Sequence, residues 1–165
     1  MNLLLVRHAI AAERGEFGGA DADRPLTAEG RARFARAARA LVTLAPALEL
    51  VATSPLVRAR ETALLLREAS GGALELVELA ALSPGSAPEE VVAELAAWRA
   101  EEVALVGHEP DLSRLAGYLL AGAAASFLRF KKGGAARLEV AGRLRGGAAT
   151  LVWHLTPGQL RELAR

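Results

Sequence analysis

The stretch LLLVRHA, residues 3–9, decides the fold of this chain, because a run of four apolar residues ends abruptly in Arg7 and His8. A short, uninterrupted apolar run indicates a strand that is buried on both faces, as in a parallel sheet covered by helices. The edge at which parallel strands end is where α/β proteins bind their ligands. Arg7 and His8 are therefore the first candidate site residues, and other strands are expected to complete their site.

Strand-like and helical patterns alternate along the 165 residues of the chain. The predicted strands are residues 3–6, 48–54, 74–79, 102–107, 126–130, 136–141 and 149–155. Five helices are predicted, and they start at Thr27, Pro55, Pro88, Pro110–Asp111 and Pro157. The second has Ser54 as its N-cap and runs to about Glu68, and the third has its body from Glu89 to about Trp98. This alternation predicts an α/β fold, a three-layer sandwich in which helices flank a mostly parallel central sheet.

Three of the predicted strands end in residues suited to phosphate chemistry. The first ends in Arg7 and His8, the second leads into a helix whose first turn carries Arg58, and the fourth ends in Gly107 and His108. Guanidinium groups match phosphate oxygens, and a helix amino end adds free N–H groups. A neutral imidazole is a competent nucleophile toward phosphorus. The sequence therefore predicts a phosphoryl-transfer pocket whose charge comes from arginines rather than from a metal.

The composition excludes several other classes of site. The chain has no cysteine, which removes disulfides, zinc–thiolate sites, iron–sulfur clusters and thiol nucleophiles. No closely spaced histidines and no glycine-rich nucleotide loop are present, so we expect neither metal nor cofactor. A net charge of +1 does not suggest a nucleic-acid partner. No signal-like segment and no bilayer-spanning apolar run are present, which predicts a cytoplasmic protein without a membrane partner.

Three further nitrogen-bearing side chains are interpreted without a catalytic role. His154 lies inside a late predicted strand and is expected to be structural. Lys131 and Lys132 are the only lysines, and they are expected to form a solvated basic patch. A place at the mouth of the pocket is the alternative for these two lysines.

The motifs at the strand ends resemble those of the histidine phosphatase superfamily, which includes cofactor-dependent phosphoglycerate mutase. Arg7-His8 match its Arg-His-Gly motif with Ala9 in place of the glycine, residues 54–63 (SPLVRARETA) are similar to its second motif, and residues 106–108 resemble its second-histidine motif. Residues 24–30 (RPLTAEG) and 107–112 (GHEPDL) most resemble the short SixA-type phosphohistidine phosphatases. The resemblance implies a phosphoglycerate mutase-like fold and a single domain over residues 1–165.

The resemblance also implies a role for each matched residue. His8 would be the nucleophile that is transiently phosphorylated, Arg7 and Arg58 would bind phosphoryl oxygens, and His108 would complete the phosphate-binding pocket. Larger members of the family place a general-acid glutamate after the third strand. Ala81 occupies the aligned position here, and Glu78 is the nearby carboxylate that could act as the acid.

The missing acid favours a phosphohistidine substrate on a partner protein. An alkyl phosphate needs its leaving alkoxide protonated, whereas a phosphorylated imidazole leaves as neutral imidazole once its other ring nitrogen is protonated. The short chain also lacks insertions that would form a lid, and an open pocket suits a side chain on a protein. Two alternatives stay open: a phosphatase for a small phosphomonoester such as a sugar or cofactor phosphate, and a non-catalytic module that binds phosphoproteins.

Overall fold

A computed structural model describes residues 1–164 and contains one mixed six-stranded sheet. Its strands are β1 (Asn2–Arg7), β2 (Leu48–Thr53), β3 (Glu75–Glu78), β4 (Glu102–Gly107), β5 (Ala135–Val140) and β6 (Ala149–Leu155). The order across the sheet is β3-β2-β4-β1-β5-β6. The first four strands in that order are parallel to one another. At one side of them, β5 is antiparallel to β1, and β6 is antiparallel to β5.

Helices cover both faces of the sheet, as the alternation predicted. They are α1 (Ala28–Leu44), α2 (Val57–Ala69), α3 (Pro88–Leu95), α4 (Asp111–Ala121) and α5 (Pro157–Leu163). Leu4 and Val6 of β1 belong to the core beneath α1, α2 and α5, whereas Leu3 and Leu5 belong to the core beneath α3 and α4. Successive side chains of a strand point to opposite faces, so one apolar run fills both cores. The predicted three-layer α/β fold is confirmed.

The register of the central strands brings three strand ends together. In the parallel β1–β4 pair, Arg7 lies opposite Gly107, so His8 and His108 follow their strands at the same level. Strand β2 adjoins β4 on its other side, with Thr53 opposite Val106. The segment after β2, which leads to Arg58, therefore emerges beside the two histidines.

The prediction of a strand at residues 126–130 was wrong. No backbone–backbone hydrogen bond joins these residues to any other part of the described chain. The Phe130 N–H instead donates to Oε1 of Glu109 at 2.6 Å, and the Phe130 carbonyl accepts from Nη1 of Arg7 at 2.7 Å. The apolar side chains of Phe127, Leu128 and Phe130 produced the strand-like pattern, but side chains of the pocket satisfy the backbone of Phe130 where a sheet partner was expected.

Two predicted helix boundaries also needed correction. Helix α2 begins at Val57, not at Pro55, and Leu56 rather than Ser54 is its N-cap. Ser54 Oγ accepts from the Leu56 N–H and bonds to the ring of His108. Helix α3 ends at Leu95, short of Trp98. Thr27 does cap α1, accepting the Gly30 N–H at 2.9 Å. Within residues 1–164 no helix combines the length and the apolar character needed to cross a membrane.

Candidate active site

The two histidines meet at the carboxyl edge of the parallel strands. The ring centroids of His8 and His108 are 5.1 Å apart. Only 6% of His8 and 4% of His108 is exposed to solvent. Both residues are held by the sheet itself, since the His8 N–H donates to the Gly107 carbonyl at 3.0 Å. The predicted convergence of these two residues is therefore present in the structure.

The ring of His8 is oriented by its own backbone neighbour. Nδ1 of His8 lies 2.7 Å from the carbonyl oxygen of Ala9, which can only accept a hydrogen bond. Nδ1 therefore carries the proton of the neutral ring, and Nε2 keeps its lone pair. The Ala9 N–H in turn donates to Oγ1 of Thr62 at 3.0 Å, and this hydroxyl donates to the Arg58 carbonyl at 2.7 Å. Thr62 thus holds Ala9, the residue whose carbonyl orients the His8 ring.

Burial keeps both histidines neutral. Burial lowers the pKa of His8 to about 3, and the charges of His108, Arg58 and Arg7 add to the effect of burial, against the hydrogen bond to Ala9. Burial also lowers the pKa of His108 to about 4, again assisted by Arg58. Loss of hydration disfavours the charged imidazolium more than the neighbouring cations do. A neutral His8 is the form that can attack an electrophile.

Two arginines flank the histidines with nitrogens left unpartnered. Arg58 donates from Nη1 to the carbonyl of Asp21 at 2.7 Å and from Nη2 to its carboxylate at 3.1 Å. Arg7 donates from Nη1 to the Phe130 carbonyl. Among residues 1–164, no hydrogen-bond partner reaches the buried Nε atoms of Arg7 and Arg58 or Nδ1 of His108. Buried polar atoms are nearly always satisfied, so such a cluster indicates a binding site.

Asp21, which no sequence pattern indicated, neutralises part of this charge. Its carboxylate lies 3.1 Å from Arg58, 3.1 Å from Arg24 and 3.3 Å from Arg14. Burial alone would raise the pKa of Asp21, but the charges of Arg58, Arg24 and Arg14 together lower it. Asp21 is therefore an anion held by three cations, and it orients the Arg58 guanidinium.

Glu109 is the second residue that the sequence did not single out. Its carboxylate accepts from the Ser113 hydroxyl at 2.7 Å, from the Ser113 N–H at 3.3 Å and from the Phe130 N–H at 2.6 Å. These contacts occupy both carboxylate oxygens of Glu109. Glu109 ties residues 126–130 to the loop that follows β4.

The possible acid, Glu78, is not brought into the pocket. Its side chain is exposed and lies 3.7 Å from Nε of Arg60, another surface residue. The cavity over the two histidines, about 420 Å³ in volume, is lined by Arg7, His8, Glu13, Arg14, Asp21, Arg24, Arg58, Pro84, His108, Glu109 and Lys132. Lys132 therefore borders the pocket, as the alternative interpretation of the two lysines proposed. His154 lies elsewhere, packing edge-on against Phe130 with ring centroids 5.0 Å apart.

The charge and the hydrogen-bond donors of the pocket fit an anion. Within the described residues, no group of three or more histidine, aspartate or glutamate side chains is placed to hold a metal. Five of the eleven lining residues are arginine or lysine, and two of the three pocket carboxylates, Asp21 and Glu109, are already engaged by hydrogen bonds. A dianionic phosphoryl group fits this charge and this set of donors.

Comparison with known proteins points to one family. The family model described as histidine phosphatase superfamily (branch 1) matches residues 3–83. An uncharacterized protein of Picosynechococcus sp. is 38% identical over 157 residues, covering 93% of this chain and 90% of the relative. The structure of the protein histidine phosphatase SixA complexed with tungstate is 26% identical, with a TM-score of 0.80 over 97% of this chain and 99% of that one. A mycobacterial glucosyl-3-phosphoglycerate phosphatase shares the fold at 20% identity, with a TM-score of 0.69 over 94% of this chain and 99% of that one.

Proposed function

The chain belongs to the histidine phosphatase superfamily and is a phosphatase, and from that premise we propose that it removes the phosphoryl group from phosphohistidine on a partner protein. The observation that carries the proposal is the pairing of an unprotonated His8 Nε2 with two arginines, in a pocket where the carboxylates nearest to them, Asp21 and Glu109, are engaged by hydrogen bonds within the chain. Tungstate, the oxyanion bound in the SixA structure, has a shape and charge similar to those of phosphate.

In the first step, Nε2 of His8 attacks phosphorus with its lone pair. The bond from phosphorus to the substrate imidazole breaks, and the departing nitrogen takes the bonding pair. Arg7, Arg58 and His108 bind the phosphoryl oxygens, and their unpartnered nitrogens donate to them. Positioning and charge neutralisation are the main requirements of phosphoryl transfer.

In the second step, water attacks the phosphorus of phosphorylated His8. The phosphorus–nitrogen bond breaks, Nε2 regains its lone pair, and inorganic phosphate leaves after losing a proton to solvent. Throughout both steps the bond from Nδ1 to the Ala9 carbonyl keeps Nε2 directed at the substrate. Thr62 supports this orientation by accepting a hydrogen bond from the N–H of the same residue, Ala9.

A small phosphate ester is the second candidate substrate, because one carboxylate of the pocket is free enough to act as an acid. Glu13 lines the cavity, its side chain is 72% exposed, and its nearest ion-pair contact is Lys132 at 4.0 Å. A proton from this residue could reach a leaving alkoxide. For this second candidate, Glu13 rather than Glu78 is the general acid.

The two candidates are separated by a substrate panel. We expect kcat/KM for a histidine-phosphorylated protein to exceed that for sugar phosphates and p-nitrophenyl phosphate by about tenfold or more, which is about 1.4 kcal/mol in transition-state binding. Glu13→Gln should leave phosphohistidine hydrolysis unchanged. Preference for a monoester, lost in Glu13→Gln, would establish the second candidate instead.

A further inference from the structure

A groove lies directly beside the phosphate pocket. Arg7 and Glu109 line both cavities and form their common wall. The groove has a volume of about 590 Å³, and its other walls are Pro110, Ser113 and residues 126–129. A phosphoryl group that enters the pocket as part of a larger molecule will therefore bring the neighbouring parts of that molecule into the groove.

The outer wall of the groove, residues 126–129, presents both apolar and polar groups to solvent. Phe127 is 62% exposed, the most exposed large apolar side chain among the described residues. Leu128 next to it packs on the core, which anchors the segment and leaves the Phe127 ring outside. No backbone–backbone hydrogen bond occupies the N–H and carbonyl groups of these residues. An aromatic ring and free main-chain groups are typical of a protein-binding surface.

The charge on this wall is positive. Arg129 is exposed and takes part in no ion pair within residues 1–164. Burial is the main cause that lowers the pKa of Arg7, and the charge of Arg129 lowers it further. Glu109, the acidic residue of the groove, is already held by Ser113 and Phe130. Arg7 and Arg129 outnumber Glu109 along the groove, which leaves one net positive charge there. Such a surface is complementary to an acidic one.

Building on the proposed function, we propose that residues 126–129 dock the protein that carries the phosphohistidine. Phe127 packs against an apolar side chain next to the phosphohistidine, and Arg129 pairs with a carboxylate on the same partner surface. A free phosphohistidine or a small ester fills the pocket alone and does not reach this wall. Recognition of the partner is thereby separated from the chemistry at His8.

The test compares one variant on two substrates. The Phe127→Ala/Arg129→Gln double variant is assayed on a single-domain protein phosphorylated on histidine with phosphoramidate, and on free phosphohistidine. Glutamine is chosen so that no negative charge is added near Arg7. Leu163→Ala/Arg39→Gln is the matched control, since Leu163 is 54% exposed and Arg39 is exposed, both outside the groove.

We expect the double variant to lose about tenfold in kcat/KM on the phosphoprotein, mainly through KM, with less than about a twofold change on free phosphohistidine. The control should match the wild type on both. An equal loss on both substrates, no loss on either, or a concentration-dependent dimer that the double variant abolishes would overturn the docking surface. A wild type that hydrolyses small esters but not the phosphoprotein would instead contradict the proposed function, and the docking surface with it.

Discussion

Buried charges are balanced differently at the two ends of the parallel strands, which form two opposite edges of the sheet. At the edge where the parallel strands begin, Glu102 is fully buried and its Oε1 lies 2.5 Å from Nε of Arg137. Arg137 is also 3.2 Å from Glu139, so acids of the chain itself balance this cation. At the edge where the strands end, Arg58 is also buried with Asp21 as its acidic partner, and Arg7 forms no ion pair within residues 1–164.

This difference separates a structural charge from a functional one. Where acids of the chain match its cations, as around Arg137, the buried charge contributes to the fold, and removing one partner leaves the other uncompensated. At the other edge one carboxylate, Asp21, is shared by Arg14, Arg24 and Arg58, so positive charge is left over. Such an excess is costly unless an anion from outside completes the site.

The largest effect is expected from Arg58→Lys. An ammonium group cannot make the planar two-pronged contact with phosphate. We therefore expect a fall in kcat/KM that corresponds to a loss of about 2–4 kcal/mol in transition-state stabilisation. Arg60→Lys is the matched control, because Arg60 lies on the same helix with its side chain 56% exposed. Steady-state kinetics that show equal activity for both variants would mean that Arg58 does not bind the phosphoryl group.

A smaller effect, on stability alone, is expected at the opposite edge. Glu102→Gln removes the charge that balances buried Arg137, and we expect the free energy of unfolding to fall by about 1–3 kcal/mol with unchanged kcat/KM. Glu139→Gln, on the exposed side of the same arginine, should cost less than about 1 kcal/mol. Urea titrations measure both. A loss of activity in Glu102→Gln without a loss of stability would erase the contrast between the edges.

The pocket histidines make stability depend on pH. Their pKa values are about 3 and about 4 in the folded chain and near 6.5 when unfolded. Between pH 6.5 and 4 the unfolded chain therefore binds more protons, and the free energy of unfolding falls as pH falls, by up to about 1.4 kcal/mol per pH unit for each histidine. Above pH 6.5 this contribution is constant.

The pH prediction is checked by urea unfolding between pH 5 and pH 7.5. The His8→Gln/His108→Gln double variant lacks both titrating rings, so its stability should fall less steeply toward pH 5 than that of the wild type. Parallel pH profiles for the two proteins would show that the histidines are not kept neutral by burial. Burial is the larger cause of the lowered His8 pKa, and the charges of Arg58 and Arg7 add to it.

The smallest effect, none at all, is expected from chelation. The proposed pocket takes its positive charge from arginines, so kcat/KM should be the same with and without excess EDTA. Activity that disappears with EDTA and returns with a divalent ion would contradict this. The assay is run after dialysis, so that a tightly bound ion has time to leave.

Much of the site could be predicted from the sequence because its residues are tied to strand ends. Arg7, His8 and His108 directly follow or end apolar runs, and Arg58 lies in the first turn of a helix, so local patterns locate them. Asp21 and Glu109 could not be found in this way, since their roles depend on contacts with residues distant in sequence. That residues 1–165 form one domain stays a prediction.

Residues 126–130 are a segment whose structure the sequence pattern predicted wrongly. Their aromatic and aliphatic side chains are typical of a strand, but residue type does not report whether a partner strand is present. Hydrogen bonds from Arg7 and to Glu109 replace the ladder. The same contacts place Phe127 beside the pocket, where the docking surface is proposed.

The most direct test of the account is to trap the phosphoryl group on the enzyme. Turnover of a ³²P-labelled substrate is stopped with alkali, in which phosphohistidine survives, and the labelled peptide is mapped. Phosphorus NMR then distinguishes the two ring nitrogens. We predict acid-labile label on Nε2 of His8, absent from His8→Ala and retained in His108→Ala. Label on His108, on a serine or on Nδ1 of His8, or no label at all, would contradict the central claim.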